Sequence, residues 1–145
     1  MLTFRSVVLW IHLATIIVWI GGMVAIPFVV APAVRRLLPE SGEAVVEALV
    51  RRFQRLSREL VFLVLLTGIF NIMNAGAATG FIYGERFIRI VGTKLFLVIV
   101  IAANQAWYSL RLIPRRRTRA AALSATVNVI LAAVVLYLGL TLRYG

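Results

Sequence analysis

Among 145 residues there is one histidine, His12, and one lysine, Lys94, and both lie inside long apolar runs; every other cation is arginine. A neutral imidazole is a metal ligand or a proton carrier, and an ammonium is a compact point charge. Ionisable groups in apolar surroundings are expensive, so each needs a counterpart or a purpose. No acidic residue lies within the runs to neutralise Lys94. A charged Lys94 therefore needs an anionic ligand, and otherwise it must be neutral. Arg86 and Arg89 stand just before it in the chain. Three cations over one histidine suit a flat apolar ring with carboxylate arms, which describes haem, and suit a bare cation poorly. Met23, eleven residues after His12 and close to the same helical face, offers a soft second ligand for haem iron or copper. Its plainer reading is core filler. For His12 and Lys94 the plainer readings are an interhelical hydrogen bond and an ammonium that snorkels to the headgroups.

Other chemistries find little support. Cysteine is absent, which excludes disulfides, thiolate metal sites and thiol nucleophiles. Aspartate is absent too, and Glu85 of the Gly-rich link has no carboxylate partner for acid–base work. There is no second histidine at metal-ligand spacing and no phosphate-binding loop.

The elements that must carry these residues follow from composition. Hydrophobic residues make up 62% of the chain, well above a soluble domain's share. They are blocked into runs about as long as the ~20 residues a helix needs to cross a bilayer. The runs predict four spans, at about 6–34, 59–75, 87–112 and 120–142. Pro27 and Pro32 imply a bend or early exit in the first. That run is too long for a signal peptide, and no small-residue cleavage site ends it cleanly. Between the first two spans Ser41 is a candidate N-cap. Beyond it Val46, Leu49, Val50, Phe53 and Leu56 recur at helical spacing beside Arg51, Arg55 and Arg58. That pattern predicts an amphipathic interfacial helix whose guanidiniums reach lipid phosphates, unless it is a solvated linker. Gly76, Gly80 and Gly84 mark a turn-rich link before the third span.

A formal net charge of +11 would suggest nucleic acid in a soluble protein. Here the basic residues flank apolar runs, so lipid phosphates are the expected counter-charges and nucleic acid is not an expected partner. Their distribution sets the orientation. Arg35, Arg36, Arg51, Arg52, Arg55, Arg58, Arg111, Arg115, Arg116, Arg117 and Arg119 lie on one side; Arg5, Arg86, Arg89 and Arg143 lie on the other. The richer side is expected to be cytoplasmic, which puts both termini and the Gly-rich link on the outer, periplasmic side. His12 and Lys94 then sit at one depth, each roughly 9–10 Å below the outer end of its span at 1.5 Å per residue. Toward the cytoplasm, Asn104 and Asn128 are placed to meet in an interhelical hydrogen bond. Gly21, Gly22 and Gly68 are expected to let helices approach closely.

The first run reads His12, then Trp19 seven residues later, then the pair Gly21 and Gly22. This resembles the first helix of CopD-type copper-resistance membrane domains and of the related HemJ-type protoporphyrinogen oxidases, small four-helix proteins. The stretch from Arg51, Arg52 and Phe53 to Leu66, Thr67 and Gly68 resembles the second block of the HemJ type, and Gly92, Thr93, Lys94 and Leu95 resemble the opening of its third helix. The resemblance covers most of the chain in order. It implies a haem b protein with His12 and Lys94 as the essential pair, and a redox or protoporphyrinogen-oxidase-like activity. Two features differ: the segment 26–32 keeps only the proline of the block expected there, and Asn104 stands where a further histidine is expected.

The expectation is thus an all-α, integral membrane four-helix bundle forming a single transmembrane domain, multi-pass in the inner membrane of a prokaryote. It would bind haem or a porphyrin through His12, Lys94, Arg86 and Arg89. Copper uptake or resistance through His12 and Met23 is one alternative. A cofactor-free accessory subunit of a larger membrane complex, or a homo-oligomer, is another.

Overall fold

A computed structural model describes residues 3–113, 115 and 118–144. Pro114, Arg116 and Arg117 of the basic link lie outside the described residues, as do the side chains of 118 and 142–144, Arg143 among them. Among the described residues helix is the only regular structure. Four helical stretches are long and apolar enough to cross a membrane: Phe4–Leu37, Gly42–Ala78, Glu85–Leu112 and Arg119–Thr141.

The first stretch is α1 (Phe4–Ala25), one π-helical turn (Ile26–Val30) and α2 (Ala31–Leu37). The expected bend at Pro27 and Pro32 becomes a change of helical winding, not an exit. Proline lacks the N–H that an α-helical interior needs, and a π-turn re-registers the ladder around it. Thr3 caps α1, its Oγ1 accepting from the Ser6 N–H.

The second stretch corrects the sequence reading. An interfacial helix followed by a separate span requires a break near residues 58–59, but α3 (Gly42–Ala78) runs through as one 37-residue helix. No proline interrupts it, and its buried stripe continues along the whole length, through Val46, Val50, Ser57, Val64 and Thr67. The stripe packs on α1 and α2. Leu49 and Leu56, expected on the apolar face, remain exposed. At 1.5 Å per residue α3 is about 55 Å long, well beyond ~30 Å of hydrocarbon.

Gly80 and Phe81, both at positive φ, turn the chain into α4 (Glu85–Trp107). A second π-helical turn (Tyr108–Leu112) extends α4, and α5 (Thr118–Tyr144) closes the bundle. The helices alternate in direction, so Phe4 meets Phe70 edge to face and Lys94 lies beside Gly139. Both termini and the 79–84 loop therefore share one end, here the loop end; the arginine-rich links share the other, the basic end.

Packing divides the bundle into two hairpins, α1 with α3 and α4 with α5. They join over two apolar cores. One, near the basic end, gathers Ala31, Val46, Val50, Tyr108, Leu112 and Ala125. The other, at mid-height, gathers Trp19, Met23, Val98, Ile101, Ala132 and Val135. Toward the loop end, beyond Val64, Val98 and Val135, no apolar side chain is fully buried among the described residues.

Candidate functional site

His12 lies on the inward stripe of α1 with Thr15, Trp19 and Met23, and it is half-buried. Its Nδ1 is 2.8 Å from Thr67 Oγ1 on α3. Thr67 has one hydroxyl proton, and it donates that proton to the Leu63 carbonyl, 2.6 Å away one turn back. A hydroxyl whose proton is already given can only accept from the ring. With the Thr67 hydroxyl given to the carbonyls of Leu63 and Val64, the ring's matching tautomer carries its proton on Nδ1, and Nε2 is then the nitrogen free to ligate. This is the arrangement found behind histidines that ligate metals, where a second group fixes the tautomer and the ring's direction. The ring edge rests on a glycine: a Cβ at Gly68 would lie 3.5 Å from His12 Cε1.

Lys94 belongs to the inward stripe of α4 that continues through Val98, Ile101 and Gln105. It is half-buried, and its Nζ lies 3.4 Å from where a Cβ on Gly139 would stand. Each hairpin thus seats one ionisable side chain over a glycine of its second helix. Lys94 makes no hydrogen bond or ion pair among the described residues. The two residues singled out from the sequence share the loop end of the bundle, each over a glycine of its own hairpin. A third polar group shares their end of the bundle. Asn74 follows Thr67 by seven residues on the same face of α3, and its Nδ2 is buried without a hydrogen-bond acceptor among the described residues.

Two expected members fall elsewhere. Arg89 is five residues from Lys94, which turns it about 140° around the helix; it is exposed and pairs with Glu85 at 3.7 Å. Arg86, also exposed, is eight residues away and about 80° from the direction of Lys94, so it can approach the same rim. Met23 is ruled out as a co-ligand. Eleven residues along the continuous helix α1 separate it from His12 by about 16 Å, and bonds of ~2 Å from each side chain cannot meet at one ion. Met23 is instead core, only 4% exposed. Among the described residues no three His, Cys, Asp or Glu side chains gather as a metal cage.

The expected meeting of Asn104 and Asn128 is present and belongs to a larger network near the basic end. Asn104 Nδ2 donates to Asn128 Oδ1 at 2.9 Å and to the Ser124 carbonyl at 3.0 Å. Ser124 Oγ returns a bond to Asn104 Oδ1 at 2.9 Å, and Asn128 Nδ2 reaches Gln105 Oε1 at 3.5 Å. A narrow cleft beside it is lined by Met23, Pro27, Phe53, Gln105, Tyr108 and Asn128, and both π-turns adjoin it. Gly22 is required here because the Phe53 ring occupies the place of its missing Cβ. Thr67, Gly139 and Gln105 were not assigned roles from the sequence. Thr67 sits within a stretch that carried the family resemblance, but nothing in one dimension pairs it with a ring 55 residues away.

Comparison with protein-family models, curated proteins and solved structures yields no match.

Proposed function

We propose that the chain is a haem- or porphyrin-binding redox protein of CopD/HemJ-like type, with its site between the hairpins at the loop end. The observation that carries this is the His12–Thr67–Leu63 relay, which leaves His12 Nε2 as the nitrogen free to ligate. The residues fit the group. His12 would be the axial ligand. Lys94, which has no counter-charge among the described residues, and Arg86 at the rim would hold the propionates. The orphan donor of Asn74 supplies a further hydrogen bond to a carboxylate arm. When bound, a haem supplies one-electron chemistry, for electron transfer or protoporphyrinogen-oxidase-like turnover; the protein binds it, orients it and excludes lipid. His12 and Lys94 are also the pair that the family resemblance selects.

Orientation follows the arginine asymmetry. The basic end is placed in the cytoplasm, both termini and the candidate site on the periplasmic side, and the chain in the inner membrane of a prokaryote. The N-terminal part of α3, residues 42–58, then lies in the cytoplasmic half of the bundle, packed on α1 and α2. The copper reading loses its second ligand with Met23.

An absorption spectrum of the purified protein, with pyridine-haemochrome and metal assays, tests the proposal. The expected result is a Soret band with near-stoichiometric haem b that is lost in His12→Ala. A Soret band unchanged in His12→Ala overturns the ligand assignment. Copper without haem supports the alternative metal, and a colourless, metal-free chain obtained only with other subunits supports an accessory role.

A further inference from the structure

On the outward face of α3, Phe62, Leu66, Ile69 and Met73 are each more than half exposed. Their spacing of four, three and four residues makes one straight stripe. From Phe62 to Met73 the stripe is about 16 Å long, close to the ~15 Å depth of one leaflet's hydrocarbon. Continued toward the basic end at the same spacing, it reads Glu59, Arg55 and Arg52, all exposed. The face therefore changes from acyl-facing to guanidinium over two turns, with Glu59 between, and a shallow groove lies at the change, lined by Arg52, Arg55, Leu56 and Glu59.

The neighbouring charges are arranged so that these two arginines stay unpaired. Arg35 is held by Glu43 at 2.8 Å, and Arg51 by Glu47 one turn back. Those bonds use the two acids nearest the groove on its basic-end side. Arg52, Arg55 and the adjacent Arg58 form no ion pair among the described residues. Glu59, although it lines the groove, is not within ion-pair distance of any of them. Two guanidiniums three residues apart on a helix can hold one phosphate with forked hydrogen bonds.

We infer that the groove at Arg52 and Arg55 is a binding site for one anionic phospholipid, its phosphate on the two guanidiniums and an acyl chain running along Phe62 and Leu66, about 16 Å from Arg55, toward Ile69. Charge complementarity selects the headgroup, and the length of the apolar stripe selects a lipid over a free anion. Glu59 lies on the hydrocarbon side of the phosphate and weakens the site by like-charge repulsion. The site is independent of the haem proposal and of which end faces the cytoplasm.

Native mass spectrometry of the full chain in neutral detergent tests this, titrated with phosphatidylglycerol, with phosphatidylcholine of the same acyl chains, and with inorganic phosphate. The wild type is expected to keep one phosphatidylglycerol in preference to phosphatidylcholine. R52Q/R55Q is expected to lose that preference by roughly tenfold or more, the order two interfacial arginines supply. The charge-matched control R115Q/R119Q should retain it, and E59Q should strengthen it. Retention of the preference in R52Q/R55Q, an equal loss in the control, or displacement of the lipid by millimolar phosphate would each overturn the site. Should R52Q/R55Q lose its helical circular dichroism, E59Q decides: a rise supports the site and no rise refutes it.

Discussion

The two ends of this bundle differ in how their buried polar groups are met, although each half keeps one orphan among the described residues, Gln54 Oε1 toward the basic end and Asn74 Nδ2 at the loop end. Near the basic end, Asn104, Ser124, Asn128 and Gln105 satisfy one another across α4 and α5. At the loop end, His12 is satisfied on one nitrogen only, Lys94 has no acceptor among the described residues, and Asn74 Nδ2 is an orphan. Apolar packing follows the same division, with both cores below the level of His12 and Lys94. In hydrocarbon an unmet polar group costs several kcal/mol, so a closed network is explained by packing alone. A set of donors left open is not. The open donors make the loop end the candidate site.

The sharpest way to break the contrast is to remove the imidazole. His12→Ala should abolish stoichiometric haem, read as the loss of the Soret band, while Asn128→Ala leaves the band intact. Next in size is the group behind the ring. Thr67→Val frees the tautomer and should weaken haem affinity about 10–100-fold, the usual cost of losing an outer-shell partner; Thr67→Ser should restore it, as measured by haem transfer to apomyoglobin. Lys94→Met removes one propionate partner and should cost about tenfold in the same assay, from a charge-assisted bond of roughly 1.5 kcal/mol. At the other end, Asn128→Ala should lower thermal stability by about 0.6–2 kcal/mol with no spectral change. The smallest effect belongs to Arg89→Gln. Its side chain is exposed, faces away from Lys94 and pairs only with Glu85 among the described residues, so haem affinity should not change measurably.

Much of the fold is legible in one dimension because bilayer crossing is a local requirement. A run of about 20 apolar residues has to be a helix whatever surrounds it, since lipid offers its backbone no other hydrogen bonds. The third span and the fourth therefore match the structure closely, at Glu85–Leu112 and Arg119–Thr141. The misjudged elements are those where polarity changes inside a helix. Arginines from Arg51 to Arg58 look like a boundary, but the inward stripe through Val50, Ser57 and Val64 does not stop there, and the helix follows its buried contacts. Pro27 and Pro32 likewise allow a bend or an early exit, and the chain makes no exit because a π-turn absorbs Pro27, which depends on the helices packed around it.

The site divides in the same manner. Rarity in the sequence was enough to choose His12 and Lys94, because a lone imidazole and a lone amine in apolar runs are conspicuous by their cost. Helical rise alone sufficed to exclude Met23 once α1 was continuous. Tertiary structure alone decided that Thr67 meets His12 Nδ1, that Gly68 and Gly139 seat the two ionisable groups, and that Arg89 points away. The physical reason is the range of the interactions. Partition into lipid and helical winding act residue by residue, whereas a hydrogen bond between helices exists only when packing brings a donor and an acceptor 55 positions apart to within 2.8 Å.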